Sequence, residues 1–168
     1  MPTQPTKDFS SVQEHMIADY LDWAVVSGSG AAACHPGDII SDEWLGECKT
    51  HVKPDQKIFF SKSVWKKICD EAMVKRRYPV LFTDDGSQKC NKTWCLFSSR
   101  QLNRDECHVM SEVAFVNRTN ISFGHHPMLA NYELQRNPDK PSVFLLRWGE
   151  DTVAVCLLSI FKELFGGN

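Results

Sequence analysis

The sequence contains neither a long apolar run nor a strong net charge. Its longest apolar run, residues 153–158, is far shorter than the ~20 residues of a membrane-spanning helix. Its first residues are polar and lack the apolar core of a signal peptide. A net charge of −2 argues against a protein that coats nucleic acid through charge alone. We therefore expect an intracellular, cytoplasmic protein with no membrane partner.

Internal repeats and low-complexity stretches are also absent from the sequence. The composition, 42% hydrophobic and 24% charged, is that of an ordinary globular protein. A length of 168 residues predicts a single domain, 1–168, with a flexible tail over residues 1–10. The seven cysteines are an odd number in a chain without an export signal, so we expect free thiols.

Charge is distributed unevenly along the chain. Residues 1–48 contain eight acidic residues and one basic residue, whereas residues 49–77 contain nine basic and three acidic residues. Such a succession suits a site that holds cations between carboxylates and attracts a polyanion to neighbouring lysines. A solvated helix face would show the same basic stretch.

Hydrophobic periodicity predicts an α/β fold. Its first helix is expected to begin with a capping box formed by Ser11 and Glu14. The predicted helices cover residues 11–24, 61–77 and 159–165. The predicted strands begin at residue 25, form a hairpin over 38–49, and continue at 80–83, 93–98, 113–116, 143–148 and 152–157. We expect a loop over residues 117–141, and the order of the first half is helix, three strands, helix, strand.

The residues with the clearest chemical signature lie in the predicted hairpin. Side chains alternate along a strand, so Glu47 and Lys49 project from the same face. With Asp42 and Glu43 as a two-residue loop, Asp38 stands opposite Glu47 on that face, and a bound cation would relieve the repulsion between them. An Asp–Glu pair is not a favoured two-residue turn, so a register shifted by a residue stays open at this point.

This set of groups is typical of metal-assisted phosphodiester hydrolysis. Mg²⁺ takes oxygen ligands, usually one or two carboxylates together with waters and phosphate oxygens. Asp38 and Glu47 fit that description for Mg²⁺ or Mn²⁺, and the main-chain carbonyl of Cys48 is a further candidate ligand. Lys49 would orient an attacking water or offset charge on the phosphate. The structural alternative is an exposed hairpin on which Glu47 and Lys49 merely balance each other.

On these residues the sequence resembles the PD-(D/E)XK nuclease superfamily, whose fold is that of the restriction endonucleases. Within it, the sequence is most similar to the archaeal and phage-type Holliday junction resolvases. The resemblance spans roughly residues 11–83. It is carried by the helix with Glu14, the loop at residues 28–30, Asp38, the motif at residues 47–49 and the helix that follows.

The resemblance implies a restriction-endonuclease-like catalytic core, a mixed central sheet flanked by helices, over residues 11–83. Residues 84–168 would extend the same domain with additional strands and a closing helix. It also implies a magnesium-dependent DNA endonuclease encoded by a phage or a mobile element, and the likeness to the resolvase branch implies action on branched DNA as a Holliday junction resolvase. Because a junction is two-fold symmetric, we expect a homodimer that binds branched or duplex DNA.

For the site, the resemblance implies metal binding at Asp38 and Glu47 and makes Lys49 the catalytic lysine. Glu14 would support the metal, and Ser29 would act near the scissile phosphate. The chain departs from the family pattern by a glycine between Pro36 and Asp38 and by its second half. Without the resemblance, Glu14 fits a helix cap and Ser29 fits a turn.

Five lysines that follow the motif are candidate contacts for the DNA backbone, or ordinary solubilising residues of a helix: Lys53, Lys57, Lys62, Lys66 and Lys67. Phosphate contacts of this kind position a duplex without reading its sequence.

Two further hypotheses are compatible with the sequence. The first is a nuclease for linear or single-stranded DNA. The second is a non-catalytic nucleic-acid or protein interaction module of the same fold, with a zinc element. The spacing of Cys90, Cys95, Cys107 and His108 is only a loose match to zinc sites, and strand cysteines are simply buried in many proteins.

Overall fold

The computed structural model describes residues 6–27, 36–114 and 118–166, excluding the side chains of residues 6–8 and 125–127. The fold is mixed α/β, with an eight-stranded central sheet, a separate two-stranded sheet and four α-helices in the described residues. The helices are α1 (Thr6–Leu21), α2 (Lys62–Val74), α3 (His125–Gln135) and α4 (Leu158–Phe165). None of them is long and apolar enough to cross a membrane.

The strands are β1 (Ala24–Val25), β2 (Ile39–Ile40), β3 (Trp44–Lys49), β4 (Ile58–Ser61), β5 (Tyr78–Asp84), β6 (Thr93–Ser98), β7 (His108–Ala114), β8 (Asn120–Phe123), β9 (Ser142–Trp148) and β10 (Asp151–Leu157). The central sheet has the order β1-β2-β3-β5-β6-β10-β9-β7, and β4 pairs with β8 in the small sheet. The strands of the second half therefore continue the sheet that the first half begins.

Strands β3 and β5 are parallel neighbours, and two parallel strands need a long crossover between them. The crossover here contains β4 and α2. It brings α2 over the sheet, where Trp65, Ile68 and Ala72 are buried. The carboxyl ends of β3 and β5 consequently lie side by side.

The two faces of the sheet are covered by different helices. Trp44 and Glu47 are three residues apart in β3 and so face opposite sides. Trp44 packs on Phe161 of α4, with ring centroids 5.0 Å apart, whereas Glu47 lies near Lys67 of α2. The aromatic core is therefore on the α4 face, and the charged residues of β3 are on the α2 face.

Several elements agree with the sequence prediction. The β2–β3 hairpin, β6, the β9–β10 hairpin and α4 all lie within two residues of their predicted positions. The second predicted helix is shorter than expected: α2 ends at Val74, and Arg76 then has a φ of 55°. That left-handed conformation is incompatible with a continuing helix.

The first predicted helix is displaced toward the N-terminus. Helix α1 begins at Thr6, so residues 6–10 are helical and the prediction of a tail reaching residue 10 was wrong for them. Ser11 lies inside the helix, where its carbonyl oxygen bonds the His15 ring nitrogen at 2.8 Å. The predicted capping box of Ser11 and Glu14 was therefore also wrong.

The predicted loop over residues 117–141 was wrong as well, because the structure has β8 and α3 in this region. Strand β8 is only four residues long and pairs with β4, a long-range partner that local sequence patterns do not reveal. The proline at position 127 lies in the first turn of α3, where its missing N–H leaves no helical hydrogen bond unmade.

Candidate active site

The β2–β3 hairpin brings the two predicted carboxylates together. Ile39 pairs with Gly46 and Ile40 with Leu45, and Asp38 lies directly before this paired segment, close enough to Glu47 for their charges to interact. The loop is the two-residue Asp42–Glu43 turn, closed by a bond from the Ser41 N–H to the Trp44 carbonyl at 3.0 Å. The predicted two-residue turn and register are confirmed for the paired residues 39–40 and 45–46, whereas Asp38 bonds Gly46 instead of pairing with Glu47.

Asp38 is fixed by main-chain hydrogen bonds at the open edge of β3. Its N–H donates to the Gly46 carbonyl at 2.8 Å, and its Oδ2 accepts from the Cys48 N–H at 2.8 Å. The N–H and C=O of one strand residue point to the same edge. The Cys48 carbonyl therefore faces the side on which Asp38 lies, as a ligand to a shared cation would.

Gly37 accounts for the inserted glycine in the sequence pattern. It has a φ of 71°, which favours glycine, and a Cβ placed on it would lie 2.7 Å from Leu45 Cδ1. Its N–H donates to Glu71 Oε2 at 3.0 Å. This glycine turn places Asp38 beside β3 and attaches the turn to α2.

Glu47 is buried between two lysines. It is only 5% exposed, and its Oε1 lies 2.6 Å from Lys49 Nζ and 3.7 Å from Lys67 Nζ. Lys67 also lies 3.6 Å from Glu71 Oε1. The charges therefore alternate in sequence from Lys49 through Glu47 and Lys67 to Glu71. Glu71 in turn accepts the hydrogen bond from the Gly37 N–H, which links this series to the turn before Asp38.

The electrostatics of Asp38 reflect its crowding. Burial, and then the neighbouring charge of Glu47, raise the pKa of Asp38 from 3.8 to about 7, against a lowering by the Cys48 hydrogen bond and by Lys49. The charge of Glu14 also contributes to this rise, which places Glu14 within electrostatic reach of the pair. The site concentrates more negative charge than the protein itself neutralises.

Lys49 remains a cation in this environment. Burial acts to lower the pKa of Lys49, but the charge of Glu47 and their hydrogen bond outweigh it, so the pKa is raised. Half of its side chain is exposed. Lys49 can therefore donate hydrogen bonds and offset negative charge at the surface, but it is poorly suited to accept a proton.

Glu14 lies on the half-buried side of α1. Burial raises the pKa of its carboxyl, and Glu47 and Lys49 are among the charges that act on it. Next to it, Gln13 is fully buried and its Nε2 donates to the Lys49 carbonyl at 2.9 Å. Helix α1 is thus anchored to the end of β3, as a supporting role for Glu14 requires. Ser29 lies outside the described residues.

The five candidate DNA-binding lysines have different surroundings. Lys53, Lys57 and Lys66 are exposed. Lys62 is held by the Trp148 carbonyl and by Asp151 Oδ2, both at 2.7 Å, so its ammonium is committed to the protein. Lys67 belongs to the carboxylate site through Glu47.

The donor atoms fit a divalent cation that keeps most of its waters. Among the described residues, Asp38 Oδ1 and Glu47 Oε2 have no hydrogen-bond partner. Two carboxylates are a sufficient protein contribution for Mg²⁺ when phosphate and water supply the rest. In the same part of the chain, no group of three or more His, Cys, Asp or Glu residues is arranged to hold a metal. That observation gives the zinc hypothesis no support in the described residues.

Lys67 and Glu71 are site residues that the sequence analysis missed in this role. Their spacing of four residues on α2 was a readable signal for a pair on one helix face. The sequence did not reveal that this face of α2 lies over Glu47, because that contact depends on the parallel crossover. In comparisons with protein-family models, with curated proteins and with solved structures, no match to this chain was found.

Proposed function

We propose that this protein is a divalent-metal-dependent DNA endonuclease that hydrolyses phosphodiester bonds at Asp38, Glu47 and Lys49. The observation that carries the proposal is the hairpin, which holds the Asp38 carboxylate on the Cys48 N–H of β3 and places Glu47 and Lys49, 2.6 Å apart, on one face of that strand. The carboxylate oxygens that bond no other described residue and the outward Cys48 carbonyl are the kind of ligands that Mg²⁺ or Mn²⁺ takes.

The order of elements supports the finer assignment to a restriction-endonuclease-like core of the PD-(D/E)XK type. Helix α1, the three strands β1 to β3, helix α2 and strand β5 follow one another as the resemblance implies, with β4 added in the crossover. Asp38 directly precedes the second strand of that unit, and Glu47 and Lys49 lie in the third. Strands β6, β7, β9 and β10 extend the sheet, and α4 closes the opposite face.

In the proposed reaction, a water oxygen forms a bond to phosphorus, one phosphorus–oxygen bond of the DNA backbone breaks, and a proton from the water reaches the departing oxygen through solvent. A bound divalent cation supplies Lewis acidity at the phosphate. Asp38 and Glu47 would hold that cation, and Lys49 would donate hydrogen bonds to the attacking water or to the phosphate oxygens. Lys67 and Glu71 position Glu47 and the glycine turn, and Glu14 adds negative charge behind the site.

The substrate is proposed to be DNA, with the exposed Lys53, Lys57 and Lys66 contacting backbone phosphates. A homodimer that makes symmetric cuts would indicate a junction resolvase. Cleavage of linear duplex or single-stranded DNA would instead indicate a nuclease with the same hydrolytic chemistry and a different substrate.

A non-catalytic binding module is the second candidate, and one observation favours it. Glu47 Oε1 is already in contact with both Lys49 and Lys67, so part of the site is balanced without a metal. In this alternative, the hairpin is a structural ion-pair network and the exposed lysines bind a polyanion.

Cleavage assays distinguish the two candidates. Purified protein is incubated with labelled four-way junction, linear duplex and single-stranded DNA, in Mg²⁺ or in EDTA. The proposal predicts cleavage that requires Mg²⁺ and is lost in Asp38→Asn. The matched control, Asp19→Asn, removes an exposed carboxylate from α1 and should cleave normally. Absence of cleavage on every substrate, or full activity of Asp38→Asn, favours the binding module.

A further inference from the structure

A small cavity opens beside Lys49, at the carboxyl ends of β3 and β5. Its volume is about 190 Å³. The register places Lys49 directly beside Thr83 of β5, and the crossover through β4 and α2 forms the opposite wall. The lining residues are Lys49, Thr50, His51, Phe59, Ser61, Val64, Leu81 and Thr83.

The exposed aromatic ring of Phe59 forms part of this wall. Side chains alternate along β4, so Ile58 and Phe60 are buried in the core while Phe59 and Ser61 face the cavity. Phe59 is 40% exposed, so part of its ring is open to solvent on the cavity side. A ring presented in this way is available for stacking by a planar ligand.

The size and lining of the cavity restrict its ligand. The volume is below the roughly 300 Å³ at which pockets for drug-sized molecules begin, so a single flat ring system fits better than a large cofactor. Phe59, Val64 and Leu81 supply apolar surface, and the hydroxyls of Ser61 and Thr83 supply hydrogen-bonding groups at the edges. Lys49 is the charged residue of the lining, and none of the lining residues is acidic.

We propose that the cavity receives an unpaired base of the DNA strand whose phosphate lies against Lys49. This inference rests on the proposed function and specifies its substrate. A base inside a duplex is stacked on its neighbours and cannot enter a cavity without leaving the helix, which costs energy that an already unpaired base does not require. The substrate class is therefore DNA with an unpaired nucleotide next to the cleaved phosphate, as in a bulge, a gap or a branch point.

Binding without cleavage tests this inference independently of the enzyme activity. The probe is a duplex with one bulged 2-aminopurine, whose affinity is measured by anisotropy in EDTA and whose stacking is measured by fluorescence. The comparison DNA has an abasic residue at the bulge. Stacking on an aromatic side chain is typically worth about 5- to 150-fold in affinity, so we expect the base-containing bulge to bind more tightly by a factor in that range.

The variants separate the ring from other effects. Phe59→Ala should lose the preference for the base and the change in fluorescence, whereas Phe59→Tyr should keep both. Tyr78→Ala is the matched control, because Tyr78 is an aromatic residue of similar exposure, 45%, at the opposite end of β5. The Tyr78→Ala variant should prefer the base-containing bulge over the abasic bulge as strongly as the wild type does.

The outcomes for the cavity and for the nuclease are distinguishable. Equal binding of base-containing and abasic bulges by the wild type, or no binding of either DNA, overturns the cavity inference. A preference that persists in Phe59→Ala also overturns it. A preference that depends on Phe59 without any Mg²⁺-dependent cleavage supports the cavity and contradicts the nuclease. Mg²⁺-dependent cleavage without a preference for the base supports the nuclease and overturns the cavity inference.

Discussion

Asp38 should destabilise the folded protein at neutral pH when no metal is bound. Its pKa in the folded state is raised from 3.8 to about 7 by burial and by Glu47. A carboxyl group with a raised pKa holds its proton more tightly in the folded than in the unfolded protein. Ionisation of Asp38 therefore lowers the free energy of unfolding as the pH rises through this window.

The size of the effect follows from the change in pKa. A rise from 3.8 to about 7 corresponds to about 4 kcal/mol, because each pKa unit is worth ~1.4 kcal/mol. Ionisation of Asp38 should not lower the free energy of unfolding below about pH 4 and should lower it by the full amount above about pH 7. Asn at position 38 cannot ionise, and its side-chain oxygen can still accept the Cys48 hydrogen bond.

The assay is urea unfolding of the wild type and of Asp38→Asn in EDTA, at a series of pH values from 4 to 8.5. We expect the difference in unfolding free energy to grow in favour of Asp38→Asn with rising pH, up to about 4 kcal/mol, and to level off above pH 8. The control Asp19→Asn should show no such growth. A difference between Asp38→Asn and the wild type that does not change with pH would refute the reasoning.

Three further predictions concern the metal, the turn and the core. Mg²⁺ at 100 times its dissociation constant should stabilise the wild type by ~2.7 kcal/mol, measured by thermal unfolding, and should leave Asp38→Asn unchanged. Glu71→Gln keeps an acceptor for the Gly37 N–H, so its free energy of unfolding should fall by less than about 1 kcal/mol. Glu71→Ala removes that acceptor, so its free energy of unfolding should fall by about 1–3 kcal/mol, measured by urea unfolding. Glu71→Ala should also slow cleavage, measured by single-turnover rates. Phe161→Ala should lose about 3–5 kcal/mol in urea unfolding, because Phe161 is 1% exposed among the aromatic rings. Equal losses for both Glu71 variants, or a loss below 1 kcal/mol for Phe161→Ala, would contradict these expectations.

The hairpin at the centre of the site was predictable because local patterns determine it. Two short apolar segments flank a polar pair, and this pattern fixes the register despite an unfavoured Asp–Glu turn. The structure shows what compensates: Ser41 Oγ accepts a hydrogen bond from the Trp44 N–H at 3.0 Å. The side chain of Ser41 thus stabilises the turn by a hydrogen bond, although the Asp–Glu pair itself does not favour a turn.

The surroundings of the hairpin were less predictable because they depend on long-range contacts. Lys67 and Glu71 become site residues only once the β3–β5 crossover places α2 over Glu47. Strands β4 and β8 stabilise each other across sixty residues of sequence, and neither has a strong pattern of its own. The cavity beside Lys49 arises from the same crossover, so Phe59 carried no signal in the sequence.

The most direct test of the account is the single-turnover rate of DNA cleavage by Lys49→Ala in Mg²⁺, compared with the wild type and with Lys75→Ala. Lys75 is an exposed lysine next to the end of α2, so this control removes the same charge outside the site. We expect Lys75→Ala to cleave at the wild-type rate and Lys49→Ala to be about 100- to 1000-fold slower. Equal rates for all three proteins, or no cleavage by any of them, would contradict the assignment of Asp38, Glu47 and Lys49 as a nuclease site.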